Sequence, residues 1–151
     1  LLSGGVFFLL TVISMGDPVF RGVKILFDTN VIISGFVSQG YSFEVIKDAV
    51  NKHEVYCTEY LLKETQKNLS TKFPLSGETI NSIINTVKKQ FIAGKTANTV
   101  EKISRDPKDD QILADAVTND IDIIITGDKD LLEIKNYKGI KIITPKDYWK
   151  L

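Results

Sequence analysis

Residues 23–151 predict an α/β domain with a mainly parallel sheet and helices on both faces. Two observations carry that prediction. Apolar runs of strand length alternate along the chain with segments of helical periodicity. The first run, "VKILF" at 23–27, is also compact rather than alternating, as in a central strand covered on both sides.

The elements follow in order. Residues 43–53, "FEVIKDAVNKH", place Phe43, Val45, Ile46, Ala49 and Val50 on one helix face, with His53 marking the last turn. "EVYCT" reads as the second strand and makes Cys57 a buried strand residue. "EYLLKETQKNL" is the next helix. After the break at "KFPLSGE", Ser76 and Thr79 open a long helix through Phe91, its face made by Ile80, Ile83, Ile84, Val87 and Phe91. A short extended segment near 99–103 leads into a helix starting at Asp106. "DIIIT" is a strand, "DKDLLEI" a helical turn, and "IKIIT" the last strand before Pro145. Parallel strands joined this way take right-handed crossovers.

At 151 residues, 43% hydrophobic and 25% charged, the chain has the length and composition for one domain with a substantial core. Nineteen basic and 19 acidic side chains cancel, so contact with a polyanion must come from a local patch. A single cysteine, Cys57, and a single histidine, His53, exclude an intrachain disulfide, a Cys/His zinc site and a Cys-His nucleophile. Residues 1–22 are expected to form an extension outside the fold. Their apolar stretch, Val6 to Ile13, is too short for a membrane-spanning helix, and no Lys or Arg precedes it as in a signal peptide. The expected setting is the cytoplasm, with no membrane partner.

The stretch "RDPKDDQILADA" crowds acids at a helix start. Asp106 before Pro107 is a capping signal. Helical phase puts Ile112, Leu113, Ala116 and Val117 on one stripe, with Asp109 near its centre, Asp110 at its edge and Asp115 on the opposite side. A carboxylate facing the core must be hydrogen-bonded, neutralised or ligated. Ligands of open α/β sheets bind beyond the carboxyl ends of the strands, and three more acids head there. Asp28 follows the first strand, Asp128 lies two residues past Thr126, and Glu64 sits on the helix leaving the second strand. Singly, each has a plain reading: Asp28 as a turn acid before a helix capped by Asn30 or Ser34, Glu64 as a solvated residue, Asp128 and Asp130 as turn and cap. Together, four carboxylates in one cleft repel and raise one another's pKa unless a cation is present, and Mg²⁺ or Mn²⁺ suits oxygen ligands.

"FDTNVIISG", "TEYLLKE", "DPKDDQILADAV" and "IIITGDKDLL", in this order, resemble the PIN-domain nucleases, particularly the small toxins of bacterial and archaeal toxin–antitoxin pairs. The resemblance implies a three-layer α/β/α sandwich with a five-stranded, mainly parallel sheet across residues 23–151. It implies that Asp28, Glu64, Asp109 and Asp128 are the catalytic, metal-binding acids. Asn30, Thr126 and Asp130 would support them through hydrogen bonds or water, and Asp110 would assist Asp109. The implied activity is a Mg²⁺- or Mn²⁺-dependent endoribonuclease, in which the cation activates water for attack on an RNA phosphodiester and no side chain acts as nucleophile. A cognate antitoxin and a second copy of the chain are the implied protein partners. Lys63, Lys67, Lys108 and Lys129 flank the motifs as phosphate contacts or solvated charges. Two alternatives stand beside this reading: a catalytically weak PIN domain that binds RNA or protein, and a haloacid-dehalogenase-like phosphatase, whose second aspartate is Asn30 here.

Overall fold

The structure, a computed structural model, describes residues 22–151. The expected extension, residues 1–22, lies outside the described residues except for Gly22. Strand β1 (Lys24–Phe27) runs through the middle of the sheet, and its Ile25, Leu26 and Phe27 have no solvent exposure. Complete burial of side chains this size stabilises by about 1.5–3 kcal/mol each, which fixes the strand at the centre. It pairs in parallel with β2 (Glu54–Thr58) on one side and β4 (Ile123–Ile125) on the other. Strand β3 (Ile92–Gly94) extends the sheet beyond β2, and β6 (Ile140–Ile143) extends it beyond β4. The last strand, β5 (Asn136–Tyr137), joins β6 antiparallel, giving the order β3-β2-β1-β4-β6-β5.

Helices α1 (Thr29–Ser38) and α2 (Tyr41–Lys52) connect β1 to β2. Helices α3 (Glu59–Lys72) and α4 (Gly77–Gln90) connect β2 to β3, α5 (Pro107–Thr118) precedes β4, and α6 (Lys129–Ile134) follows it. Right-handed crossovers with this strand order put α1 to α4 on one face and α5 and α6 on the other. The packing of α1 on α2 and α3, and of α3 on α4, agrees. This is the α/β/α sandwich expected, with six strands where five were expected. No described helix is long and apolar enough to cross a membrane.

Local signals act as their chemistry requires. The Ser76 hydroxyl accepts from Thr79 N–H at 3.1 Å, and the Asp106 carboxylate accepts from Lys108 N–H at 2.9 Å, so both helices start where their caps stand. His53 ends α2, and its Nδ1 accepts from Val23 N–H at 3.1 Å. Cys57 is buried, and burial, followed by the charge of Asp115, pushes its thiol up to about 12.

Four details depart from expectation. Asp28 occupies the N-cap position of α1, so Asn30 and Ser34 lie within the helix rather than capping it. That helix is rich in β-branched residues of modest helix propensity and is held by burial of Val31, Ile32, Ile33 and Phe36 instead. The segment 99–103 is not a strand: Ile103 N–H donates to the Asp110 carboxylate, and the strand before it is β3, an edge strand of three residues that directly follows α4. Strand β5 returns on β6 through Lys138 and Gly139, both at positive φ. Finally, Asp115 does not face solvent. It is fully buried, accepting from Thr58 Oγ1 at 2.6 Å, Ala97 N–H at 2.8 Å and Gln111 Nε2 at 2.8 Å, while Val117 on the expected apolar stripe is exposed.

Candidate active site

The chain builds outward from β1 through β2 to β3, then crosses back to place β4 on the other side of β1. Connections therefore leave the carboxyl ends of β1 and β4 in opposite directions, and a crevice opens between them. A cleft of about 210 Å³ lies at this point, and Asp28, Glu64, Asp106, Asp109 and Asp128 all line it. The four acids expected from separate segments are thus brought together, and Asp106, expected only as a cap, joins them.

Each acid is held by its element. Asp28 N–H continues the β1–β4 ladder by donating to the Ile125 carbonyl at 2.9 Å, which points the next turn into the crevice. Its carboxylate, 6% exposed, accepts from Thr126 Oγ1 at 2.8 Å. The same Thr126 hydroxyl accepts from Asp128 N–H at 3.0 Å, so one fully buried side chain ties the ends of β1 and β4 together. Asp128 caps α6 by accepting from Asp130 N–H at 2.8 Å. Asp109 is 3% exposed in the first turn of α5, and its carboxylate accepts from Ser104 Oγ at 3.2 Å.

Oxygens of Asp109, Asp128 and Asp130 lie within 4.8 Å of one another, close enough to share one cation. This tightest set includes Asp130, expected in a supporting role, while Asp28 and Glu64 line the same cleft. The electrostatics are those of a site short of positive charge. Burial, then the charges of Asp128 and Asp106, raise the Asp109 carboxyl to about 7, against a weaker lowering by the Ser104 hydrogen bond. Burial also raises Asp28, with smaller contributions from Asp128 and Asp106, while the Thr126 hydroxyl and Thr29 N–H pull the other way. An all-oxygen donor set with this deficit fits a hard divalent cation.

Two basic side chains border the acids. Lys108 Nζ lies 3.5 Å from Glu64 Oε1, and Arg105 donates to Asp130 at 3.1 Å. Of the four lysines that flank the motifs, Lys108 lines the cleft; Lys63 instead pairs with Glu59 on an exposed face of α3. Asn30 also lines the cleft. Asp110 is placed apart from the Asp109–Asp128–Asp130 trio: it accepts from the backbone N–H groups of Ile103 and Ser104 at 3.0 and 2.7 Å and fixes the loop before α5. Tyr60, Asn68 and Lys72 complete part of the wall without having been expected there. Their spacing of four with Glu64 along one helix was the signal that could have found them.

The PIN-domain family matches residues 24–130, and the chain belongs to that family of nucleases. Asn30, where a phosphatase of the haloacid-dehalogenase type needs an aspartate, agrees with that membership. Among solved structures, the fold is similar to a chain of VapBC2 from Rickettsia felis, bound to a DNA fragment from its promoter. The TM-score is 0.63 at 10% identity, over 80% of this chain and 98% of that one. It is also similar to the PIN domain endonuclease Utp24, with a TM-score of 0.52 at 18% identity, over 80% of this chain and 84% of that one. At these identities the likeness is one of fold. A comparison with curated proteins returns no match.

Proposed function

We propose that this nuclease is a metal-dependent endoribonuclease and the toxin of a toxin–antitoxin pair. The observation that carries the enzymatic part is the convergence of Asp28, Glu64, Asp109 and Asp128, from four separate elements, on one cleft at the switch point of the sheet. Asp109, Asp128 and Asp130 would hold Mg²⁺ or Mn²⁺, with Asp28 and Glu64 completing the acidic wall. Such a cation, when bound, activates water and offsets negative charge on a phosphodiester.

The chain's own residues do the rest. Thr126 fixes the Asp28 carboxylate and the Asp128 backbone in one geometry, so the acids need little rearrangement to act together. Lys108 and Arg105 stand at the rim, each on an acid, and are placed to exchange that carboxylate for a substrate phosphate. Neither Cys57, buried with its thiol pushed up to about 12, nor His53, against Val23 at the far end of β1, reaches the cleft; attack by water is the chemistry left. The toxin part is supported by the similarity in fold to a chain of VapBC2, and a cognate antitoxin is the partner it implies.

The test is cleavage of a single-stranded RNA by the purified protein with Mg²⁺, with Mn²⁺ and with EDTA, alongside Asp109→Asn. Cleavage that needs the cation and is lost in the variant is expected. Cleavage in EDTA, or at an undiminished rate by the variant, would overturn the mechanism. Growth arrest on expression, relieved by the product of an adjacent gene, is the expected result for the toxin role.

A further inference from the structure

Helix α3 presents Tyr60, Glu64, Asn68 and Lys72 in a single file, each four residues from the next, and all four line the cleft. Side chains at that spacing stack along one helix face. Glu64 belongs to the acidic wall. The two residues beyond it, toward the carboxyl end of α3, have no role in that wall and no partner of their own.

Asn68 is the informative one. It is only 9% exposed, yet its amide makes no hydrogen bond with any described residue. The amide is not sealed from water, since among the described residues the one enclosed side-chain polar atom without a partner is Gln90 Oε1. Thr65, on the same helix, is satisfied within the protein by donating to the Leu61 carbonyl at 2.7 Å. Asn68 instead keeps its amide open to the cleft that it lines. One turn further, Lys72 lines the same cleft and pairs with no acid among the described residues, although Lys63 on the same helix and Lys108 across the cleft each have one.

We propose that Asn68 and Lys72 form a subsite for the sugar–phosphate backbone about two to four nucleotides from the one that is cut, guiding a single RNA strand along α3. The inference rests on the ribonuclease reading above. Spacing supports it: Glu64 and Lys72 are eight residues apart, about 12 Å of helix. One nucleotide of a stacked strand rises about 3.4 Å, so Lys72 meets a phosphate other than the one at the carboxylates. The chemistry agrees, since an amide donates to phosphate or ribose oxygens and an ammonium neutralises one phosphate. The acids near Glu64 would repel that phosphate, whereas Lys72 stands at the end of the file away from them.

The test measures binding of a short labelled single-stranded RNA, and of a labelled dinucleotide, by fluorescence anisotropy with Mg²⁺. Asp28→Asn protein serves as the background so that the RNA stays intact. Asn68→Ala and Lys72→Ala should each weaken binding of the RNA about tenfold and leave the dinucleotide unaffected. Lys72→Ala should also lower the dependence of log affinity on log salt by about 0.7, which a merely structural role would not do. Lys63→Ala, on the other face of α3, should change nothing. Lys72 is exposed, so its variant reports even if Asn68→Ala folds poorly. Equal affinities across the variants, an unchanged salt slope, or no binding of the RNA at all would overturn the subsite. Wild-type protein that binds through these residues but cuts no RNA with Mg²⁺ or Mn²⁺ would refute the ribonuclease reading and leave the subsite standing.

Discussion

Thr126 and Asp28, 98 positions apart in the chain, meet through a 2.8 Å hydrogen bond in which the threonine hydroxyl donates to the carboxylate. That hydroxyl also accepts from Asp128 N–H. One oxygen therefore sets the spacing between two acids that follow different strands.

Thr126→Val keeps the shape and removes the oxygen. Asp28 then loses a donor inside a buried site and Asp128 N–H loses its acceptor, so both acids are free to shift. Loss of a supporting hydrogen bond of this kind costs about 10- to 100-fold in metal affinity or activity. We expect that loss in RNA cleavage for Thr126→Val, and near-normal cleavage for Thr126→Ser, measured at saturating Mn²⁺. Valine that cuts as well as threonine would show that the hydroxyl does not organise the acids.

The position of this pair was legible because a buried strand can end in only one place. "VKILF" and "DIIIT" had to be central, and the residues directly after them had to reach the carboxyl edge. Asp109 was legible for a related reason, since helical phase aims it at the core. Phase failed for Asp115, because the donors that make its burial tolerable, Thr58 and Ala97, come from other segments. Asp110 was legible as an edge residue but not as an anchor, which depends on the path of the loop at Ile103 and Ser104. Strand β3 is three residues long, too short to alternate, and it directly follows a helix whose pattern runs to Phe91. Strand β5 did leave a mark in Lys138–Gly139, a pair suited to a tight hairpin turn. Asn68 carries no charge and sits in no motif, so its interest arises only from its place in the cleft wall.

Asp109 and Asp110 are neighbours with different neighbours of their own, and substitutions should separate them. Asp109→Asn should abolish cation-dependent cleavage while leaving the fold intact. Asp110→Ala strips two backbone N–H groups of their acceptor and should destabilise by about 1–3 kcal/mol, with measurable cleavage remaining below the melting transition. Melting temperature and cleavage rate for both variants decide the matter. The opposite ranking would mean that Asp110 serves the cation and Asp109 the loop.

Asp115 gives a purely structural counterpart. Three donors converge on it in a fully buried position, joining α5 to the end of β2 and to the segment after β3. Asp115→Ala should lower the melting temperature in EDTA, whereas Asp28→Asn should not, because only the first leaves the Thr58 hydroxyl, Ala97 N–H and the Gln111 amide without their acceptor. Thermal denaturation of the two variants and wild type in EDTA makes the comparison, and an unchanged melting temperature for Asp115→Ala would show that water replaces the carboxylate.

The cluster should also make stability depend on pH and on cations in opposite directions. In the folded chain without a cation, burial and then Asp128 and Asp106 raise the Asp109 carboxyl from 3.8 to about 7. The folded state then holds a proton that the unfolded chain has released, so between about pH 4 and pH 7 folding takes up a proton. Its contribution to stability is complete below the unfolded value and is lost as pH rises through the folded one. Measured in EDTA, wild type should lose more stability from pH 5 to pH 8 than Asp109→Asn, which has no such proton to release. Cations reverse the trend, because they bind the deprotonated carboxylate and stabilise the folded state by mass action. Mn²⁺ should therefore raise the melting temperature of wild type more at pH 8 than at pH 5, and raise that of Asp109→Asn little at either. Asp28→Asn removes one repelling charge and should melt higher than wild type in EDTA, yet respond less to Mn²⁺. A wild-type response to Mn²⁺ that is equal at both pH values, or equal to that of the two variants, would mean these carboxylates do not share a cation and serve only as caps and turn residues.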